Sequence, residues 1–196
     1  MNKYLIVIFL VLVGVVAFVV ISQFNNKNTT LKNMPESQNK LSNKKLDELR
    51  SYIENDDIDI EDFDEDEKIV TWIDHREDDA DIVRYFEGII ESGHLSAEWV
   101  DVEGRQDRDV AIEYKNIKNS IDYPGEYTDR DTTITFLNEM ISDDYEIRFC
   151  KESDGNDTLA FIILENKEWS SLEDSFGSKK LNGLFAKISP GDIFFE

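Results

Sequence analysis

Residues 145–164, YEIRFCKESDGNDTLAFIIL, carry the strongest fold signal in this chain of 196 residues. Along residues 145–150, Tyr, Ile and Phe alternate with Glu, Arg and Cys, and this period of two is typical of a β-strand. Asp154-Gly155 then predicts a tight turn, and Thr158–Leu164 predicts a second strand. The stretch therefore predicts an antiparallel β-hairpin.

The flanking sequence adds strands and helices to this hairpin. Residues 69–73 predict a buried strand, and residues 99–102 and 110–114 predict a second hairpin with a turn between them. Apolar stripes at helical spacing predict helices at 43–55, 80–92, 128–142 and 166–177, with a short helix at 181–185 and a terminal strand or packed tail at 193–195. The expected fold is α+β, with one antiparallel sheet of about five strands, helices mainly on one face, and one N-terminal transmembrane helix before it.

The chain is strongly acidic, with 43 Asp and Glu against 21 Lys and Arg and a net charge of −22. Residues 1–42 carry +3, which leaves −25 for the remainder. This balance argues against a nucleic-acid binder, because phosphate binding needs a basic surface. The single cysteine, Cys150, excludes an intrachain disulfide framework and multi-cysteine zinc patterns.

Residues 4–21 form an unbroken apolar run, which as a helix would be about 27 Å long, close to the hydrocarbon thickness of a bilayer. The alternative is a cleaved signal peptide, but the run is longer than a usual signal sequence and is followed by no A-x-A-like site. We therefore expect a transmembrane anchor over residues 1–24, a flexible polar linker over 25–42 and an acidic globular domain over 43–196.

The positive charges on the two sides of this anchor are nearly balanced, so they favour one orientation only slightly. Lys3 and the α-amine precede the run, whereas Lys27, Lys32 and Lys40 come after it, which slightly favours a cytoplasmic globular domain. A single anchor behind a short cationic tail is, however, the usual design for exporting the domain attached to it. We expect a single-pass protein of the bacterial inner membrane, held through residues 4–24, with a periplasmic globular domain.

Candidate catalytic and metal-binding groups are few. His75 lies among Asp74, Arg76, Glu77 and Asp78, an arrangement that fits either a charged loop or an acid/base or metal cluster. Residues 153–157, SDGND, lack the ligand pattern of a calcium loop, and no phosphate-binding loop, nucleophile elbow or zinc-protease motif occurs. We therefore expect no enzyme activity, no catalytic or metal-binding residue and no cofactor.

The acidic segments are better candidates for binding a protein. A strongly negative domain accelerates encounter with a cationic partner, and exposed aromatic side chains beside acids anchor interfaces. The residues expected to bind this partner are Asp56, Asp57, Asp59, Glu61, Asp62, Asp64, Glu65, Asp74, Glu77, Asp78, Tyr123, Glu126 and Tyr127.

Several short strings carry a resemblance to a known family over about residues 69–190. They are WID at 72–74, DIVRY at 81–85, YPGE at 123–126, DRDTT at 129–133, YEIRF at 145–149 and DTLAF at 157–161, with Trp169 and Leu172-Glu173 after them. The sequence resembles a family of small acidic bacterial proteins of unassigned function, and is more loosely similar to immunity proteins that protect bacteria from secreted toxins. The resemblance implies no catalytic residue. The anchor departs from the soluble members, which favours a target that arrives from outside the cell.

These observations support three functional hypotheses. The first is a membrane-anchored immunity protein that neutralises a cognate, basic toxin through its acidic surfaces. The second is a structural or adaptor subunit of an envelope complex, which would use the anchor and the loop at 123–127. The third is a hydrolase that uses His75 with neighbouring carboxylates.

Overall fold

The computed structural model describes residues 36–55, 57–63, 68–103 and 108–195, with side chains from residue 44 onward. The chain divides into two units, Met1–Lys44 and Lys45–Glu196, and the first contributes only the start of a helix to the described residues. The expected anchor at 1–24 lies outside these residues. Among the helices that are described, none is sufficiently long and apolar to cross a bilayer.

Seven strands and five α-helices make up the described part of the chain. The strands are β1 (Val70–Asp74), β2 (Leu95–Val100), β3 (Asp109–Tyr114), β4 (Ile117–Ser120), β5 (Tyr145–Cys150), β6 (Thr158–Glu165) and β7 (Phe185–Lys187). The helices are α1 (Glu36–Glu54), α2 (Asp79–Ile90), α3 (Arg130–Met140), α4 (Asn166–Phe176) and α5 (Ser178–Leu184). Two 3₁₀ turns, Ile60–Asp62 and Lys151–Ser153, precede β1 and follow β5.

The α+β class is confirmed, but the expected single sheet of about five strands is wrong. The strands form two antiparallel sheets, one in the order β1-β6-β5-β7 and one in the order β2-β3-β4. Both expected hairpins are present, with Phe149 opposite Phe161 in one and Trp99 opposite Val110 in the other. Strands β4 and β7 were not predicted, because each is short and β4 has a single apolar residue.

The expectation that helices lie mainly on one face is also wrong. One face of the four-stranded sheet packs against α2, α3 and the three-stranded sheet, in a core that includes Phe86, Ile112 and Phe161. The other face packs against α1, α4 and α5, in a second core that includes Leu49, Ile162 and Trp169. The sheet is therefore a central layer, which explains why six consecutive residues of β6, 159–164, are buried.

The first helix begins earlier than predicted. Because α1 starts at Glu36, the last part of the expected linker, residues 36–42, is helical. The sequence there has no proline or glycine, and it contains Gln, Lys and Leu, which are good helix formers. The helix therefore begins at Glu36, N-terminal of the predicted range 43–55.

Candidate functional site: an acidic end of the central sheet

Topology brings three acidic segments to one end of the central sheet. Strand β6 runs antiparallel to both β1 and β5, so β1 and β5 end on the side where β6 begins. Asp74, at the end of β1, pairs with Thr158, at the start of β6. The His75 amide then donates to the Asp157 carbonyl at 3.3 Å. The loop after β1 and the loop between β5 and β6 are therefore neighbours.

A third segment, the turn at Ile60–Asp62, is attached to the same end by one carboxylate. Glu152 lies in the turn that follows β5, and its Oε2 accepts from the Tyr52 hydroxyl at 2.5 Å and from the Ile60 amide at 3.3 Å. Tyr52 and Ile60 are both buried. The acidic turn before β1 is thus anchored beside the end of β5, although 92 positions separate Ile60 from Glu152.

We call this region the acidic end and define it by segments 57–62, 74–78 and 151–157. Most of its carboxylate residues are exposed, and the Arg and Lys residues in these segments are Arg76 and Lys151. Such a concentration of like charge produces a negative potential that attracts cations. Its ten carboxylates belong to Asp57, Asp59, Glu61, Asp62, Asp74, Glu77, Asp78, Glu152, Asp154 and Asp157.

Several of these carboxylates also hold the local backbone in place. Asp59 and Asp62 form a reciprocal capping box around the 3₁₀ turn, with amide-to-carboxylate distances of 3.0 Å. Asp78 caps α2 by accepting from the Ala80 amide at 3.1 Å. These bonds restrict the orientation of the acidic groups, and each carboxylate keeps further lone pairs for another donor.

The loop that contains His75 is held together by Asp74. Its Oδ1 accepts from the Arg76 amide at 2.8 Å and the Arg76 Nε at 3.3 Å, and the His75 Nδ1 lies at 3.4 Å. The bond from the Arg76 amide is the main cause that lowers the pKa of Asp74. Within the described ranges, no group of three or more His, Cys, Asp and Glu side chains is arranged to hold a metal ion. The hydrolase hypothesis stays a prediction, which His75→Ala would test.

Seven of the predicted binding residues lie at the acidic end: Asp57, Asp59, Glu61, Asp62, Asp74, Glu77 and Asp78. Asp56, Asp64 and Glu65 fall outside the described residues. Glu126 and Tyr127 are exposed in the loop before α3, and Tyr127 is 63% exposed. Glu152, Asp154 and Asp157 are not among the predicted binding residues, because only the strand pairing shows that their loop adjoins the other acidic segments.

Tyr123 is a correction, since we expected it at the surface and its side chain is only 4% exposed. Its hydroxyl lies 2.8 Å from the Thr133 Oγ1, which donates to the Asp79 Oδ1 at 2.5 Å. Burial raises the pKa of Tyr123 and also that of Asp79. The phenol thus finds a polar partner inside the fold, so this ring cannot anchor a partner at the surface.

An exposed aromatic residue that sequence analysis missed, Tyr85, lies beside the acidic end instead. Its hydroxyl donates to the Glu77 Oε1 at 2.8 Å, and this bond is the main cause that raises the pKa of Tyr85 to about 12. Tyr85 lies outside the apolar stripe of α2, next to buried Phe86. That position in the helical pattern is the signal that predicts its exposure.

Cys150 is fully buried, 3.8 Å from the Tyr52 hydroxyl, and burial raises the pKa of its thiol. A raised pKa lowers the fraction of thiolate, which is the reactive form of cysteine.

Comparison with models of protein families, with curated proteins and with solved structures found no match.

Proposed function

We propose that this chain is a membrane-anchored bacterial immunity protein that binds and neutralises a cognate, secreted and basic toxin through its acidic end. The observation that supports this proposal is the convergence of three separate acidic segments at one end of the central sheet. Toxins that act on cell walls, membranes or nucleic acids are often basic because their substrates are anionic. A negative surface attracts such a protein and accelerates encounter with it.

Carboxylates that are held in fixed orientations suit specific binding of a protein better than a diffuse negative field alone. Charge complementarity sets the encounter rate and the register of a complex, whereas aromatic side chains near the centre of an interface supply much of its affinity. Tyr85 is an exposed ring held by Glu77 at the acidic end, so it is the aromatic residue best placed to contact a cationic side chain.

The location of the protein is supported by sequence alone. The apolar run at 4–21 would hold the globular domain at the inner membrane, and we propose that this domain faces the periplasm. A tethered acidic domain would then meet an incoming toxin at its point of entry.

A matched pair of charge variants tests the proposal. The acidic-end variant combines Asp57→Asn, Glu61→Gln, Asp154→Asn and Asp157→Asn, four exposed residues whose side chains cap neither of the two 3₁₀ turns. The control variant makes the same charge change at exposed positions elsewhere, with Asp101→Asn, Glu103→Gln, Glu139→Gln and Asp174→Asn.

The measurement is survival of cells that express each variant together with the secreted protein encoded beside this chain. We expect the acidic-end variant to lose protection and the control variant to keep it. If unmodified protein gives no resistance to any toxin encoded beside it, and no basic protein purifies with it, the proposal is wrong.

The second candidate is a structural or adaptor subunit of an envelope complex, and the exposed ring of Tyr127 favours it. Exchanging residues 4–21 for an unrelated apolar helix separates the two functions. Immunity needs only a tether and should survive the exchange, whereas an adaptor that assembles through its anchor should lose its complex.

A further inference from the structure

The last described residues, 189–195, form a strap that closes over one of the two cores. The Asp192 amide donates to the Ser189 carbonyl at 3.1 Å, and the Ser189 amide donates to the Asp192 Oδ2 at 2.7 Å. Pro190 and Gly191 occupy the two central positions of this turn, and Gly191 has a φ of +87°. These features are typical of a type II β-turn, which reverses the chain after β7.

Two phenylalanines at the end of the strap meet a carboxylate and two aromatic rings. The Asp131 Oδ1 accepts from the Phe194 amide at 2.9 Å and from the Phe195 amide at 3.3 Å. The Phe194 ring centroid lies 5.2 Å from that of Phe149 and 5.5 Å from that of Phe161. The Phe195 ring lies 6.4 Å from Phe161. We call Asp131, Phe149 and Phe161 the seat.

The seat is built from elements that do not depend on the strap. Phe149 and Phe161 face each other in the β5–β6 pair, and Phe161 also packs against Phe86 of α2 at 6.5 Å. Asp131 lies in the first turn of α3. An emptied seat would therefore keep its carboxylate acceptor and its two rings in place.

Outside the seat, several residues of the strap lie at the surface. Ile193 is 70% exposed, and Pro190 and Gly191 are also exposed. Segments held by few buried contacts open locally at a lower free-energy cost than the strands of a core. The turn at 189–192 can extend without disturbing the pairing of β7 with β5, which ends at Lys187.

We propose that the seat is a binding site for an extended segment with two consecutive phenylalanines, that the strap fills it within one chain, and that the strap of a second copy can fill it in exchange. The recognition chemistry is a carboxylate that accepts two successive backbone amides, together with an aromatic surface for both rings. The second copy is the natural occupant because it carries the same segment that already fits. This inference does not depend on the proposed immunity function.

A peptide of residues 188–196, ISPGDIFFE, labelled with a fluorophore, stands in for the strap of a second copy. Fluorescence anisotropy measures its binding to the full chain in a mild nonionic detergent, with detergent alone as the blank. The Phe194→Ala/Phe195→Ala variant, which we call the emptied-seat variant, removes both rings from the seat although its backbone amides remain. Ile193→Ala is the control because that side chain is exposed.

We expect the peptide to bind the emptied-seat variant at least about tenfold more tightly than it binds wild type or Ile193→Ala, because a tethered strap competes at a millimolar effective concentration. A peptide with alanine at both phenylalanine positions should not bind, and adding Asp131→Ala to the emptied-seat variant should weaken binding at least about tenfold. Equal binding to wild type and the emptied-seat variant, binding to neither, or equal binding of both peptides overturns the proposal.

Hydrogen exchange of the unmodified protein tests the opening of the strap without a variant. The amides of Phe194 and Phe195 should exchange at least about tenfold faster than the central amides of β6. Equal protection of the two regions would show that the strap opens only when the whole fold opens, and this result would overturn the proposal.

Discussion

We expect Arg148→Ala to lower the free energy of unfolding more than most single substitutions, because Arg148 is a buried cation with several partners. Its side chain is 1% exposed. Its Nε and Nη2 donate to the two oxygens of Glu146 at 2.9 and 3.0 Å, and its Nη2 also donates to the Glu173 Oε1 at 2.7 Å. The guanidinium carbon lies 4.1 Å from the centroid of the Trp169 ring.

These contacts determine how much Arg148→Ala should lower the free energy of unfolding. Removing one partner of a buried ion pair costs about 3–5 kcal/mol because the remaining charge loses its compensation. The glutamates here are 24% and 26% exposed, and Lys187 lies 3.7 and 3.5 Å from them, so both carboxylates retain some solvation and one cation. Adding the lost stacking on Trp169, we expect a destabilisation of about 3–4 kcal/mol.

Urea unfolding followed by far-UV circular dichroism measures this loss, using the chain from Glu36 onward, which includes every described element. Arg148→Lys keeps the positive charge but loses the planar guanidinium that binds both carboxylates, so its loss of stability should be about half that of Arg148→Ala. Arg84→Ala is the control, because the Arg84–Asp81 ion pair is exposed and should contribute at most about 0.5 kcal/mol. A loss below about 1 kcal/mol for Arg148→Ala would refute the reasoning.

Three further substitutions test the roles of Glu173, Asp79 and Tyr52. The hydrogen bond from Arg148 holds the pKa of Glu173 below its ordinary value, so the stabilisation from this group is lost as pH falls through the lower, folded-state pKa. Below about pH 4.3, the ordinary pKa of a glutamate, urea midpoints should therefore fall more steeply in wild type than in Glu173→Gln, and parallel curves would contradict this. Burial raises the pKa of Asp79, so its charge is unfavourable in the folded state at pH 7 and stability from this group rises as pH falls through that pKa. Asp79→Asn, which can still accept from Thr133, should therefore be at least as stable as wild type at pH 7, and a loss above about 1 kcal/mol would exclude this. Tyr52→Phe removes a hydrogen-bond donor to Glu152, so it should lower the free energy of unfolding by about 1–2 kcal/mol and speed hydrogen exchange at the Ile60 amide. Unchanged exchange at this amide would show that Glu152 does not anchor the acidic turn.

Local patterns predicted the strands and helices well where one residue type repeats at a fixed spacing. The alternation in β5 and the turn before β6 gave a correct hairpin, and the stripes of α2 and α3 gave correct buried faces. The alternation in β5 does not by itself show whether its polar face is covered, and Arg148 is buried there because α4 brings Trp169 and Glu173 onto it. The unbroken apolar run in β6 is the local sign that this sheet is covered on both faces.

The candidate site was predictable only in part. Composition identified the acidic segments before and after β1, but their meeting with Asp154 and Asp157 depends on the pairing of β1 with β6, which joins distant parts of the sequence. The burial of Tyr123 depends likewise on Thr133 and Asp79, which no spacing rule connects to it.

We propose above that the acidic end captures a cationic protein through its electrostatic field. The most direct test measures the association and dissociation rate constants for the basic partner as ionic strength rises from about 20 mM to about 500 mM, over which the Debye length falls from about 20 Å to about 4 Å. We predict that the association rate constant falls at least about tenfold while the dissociation rate constant changes far less. An association rate constant that stays the same over this range would contradict the claim.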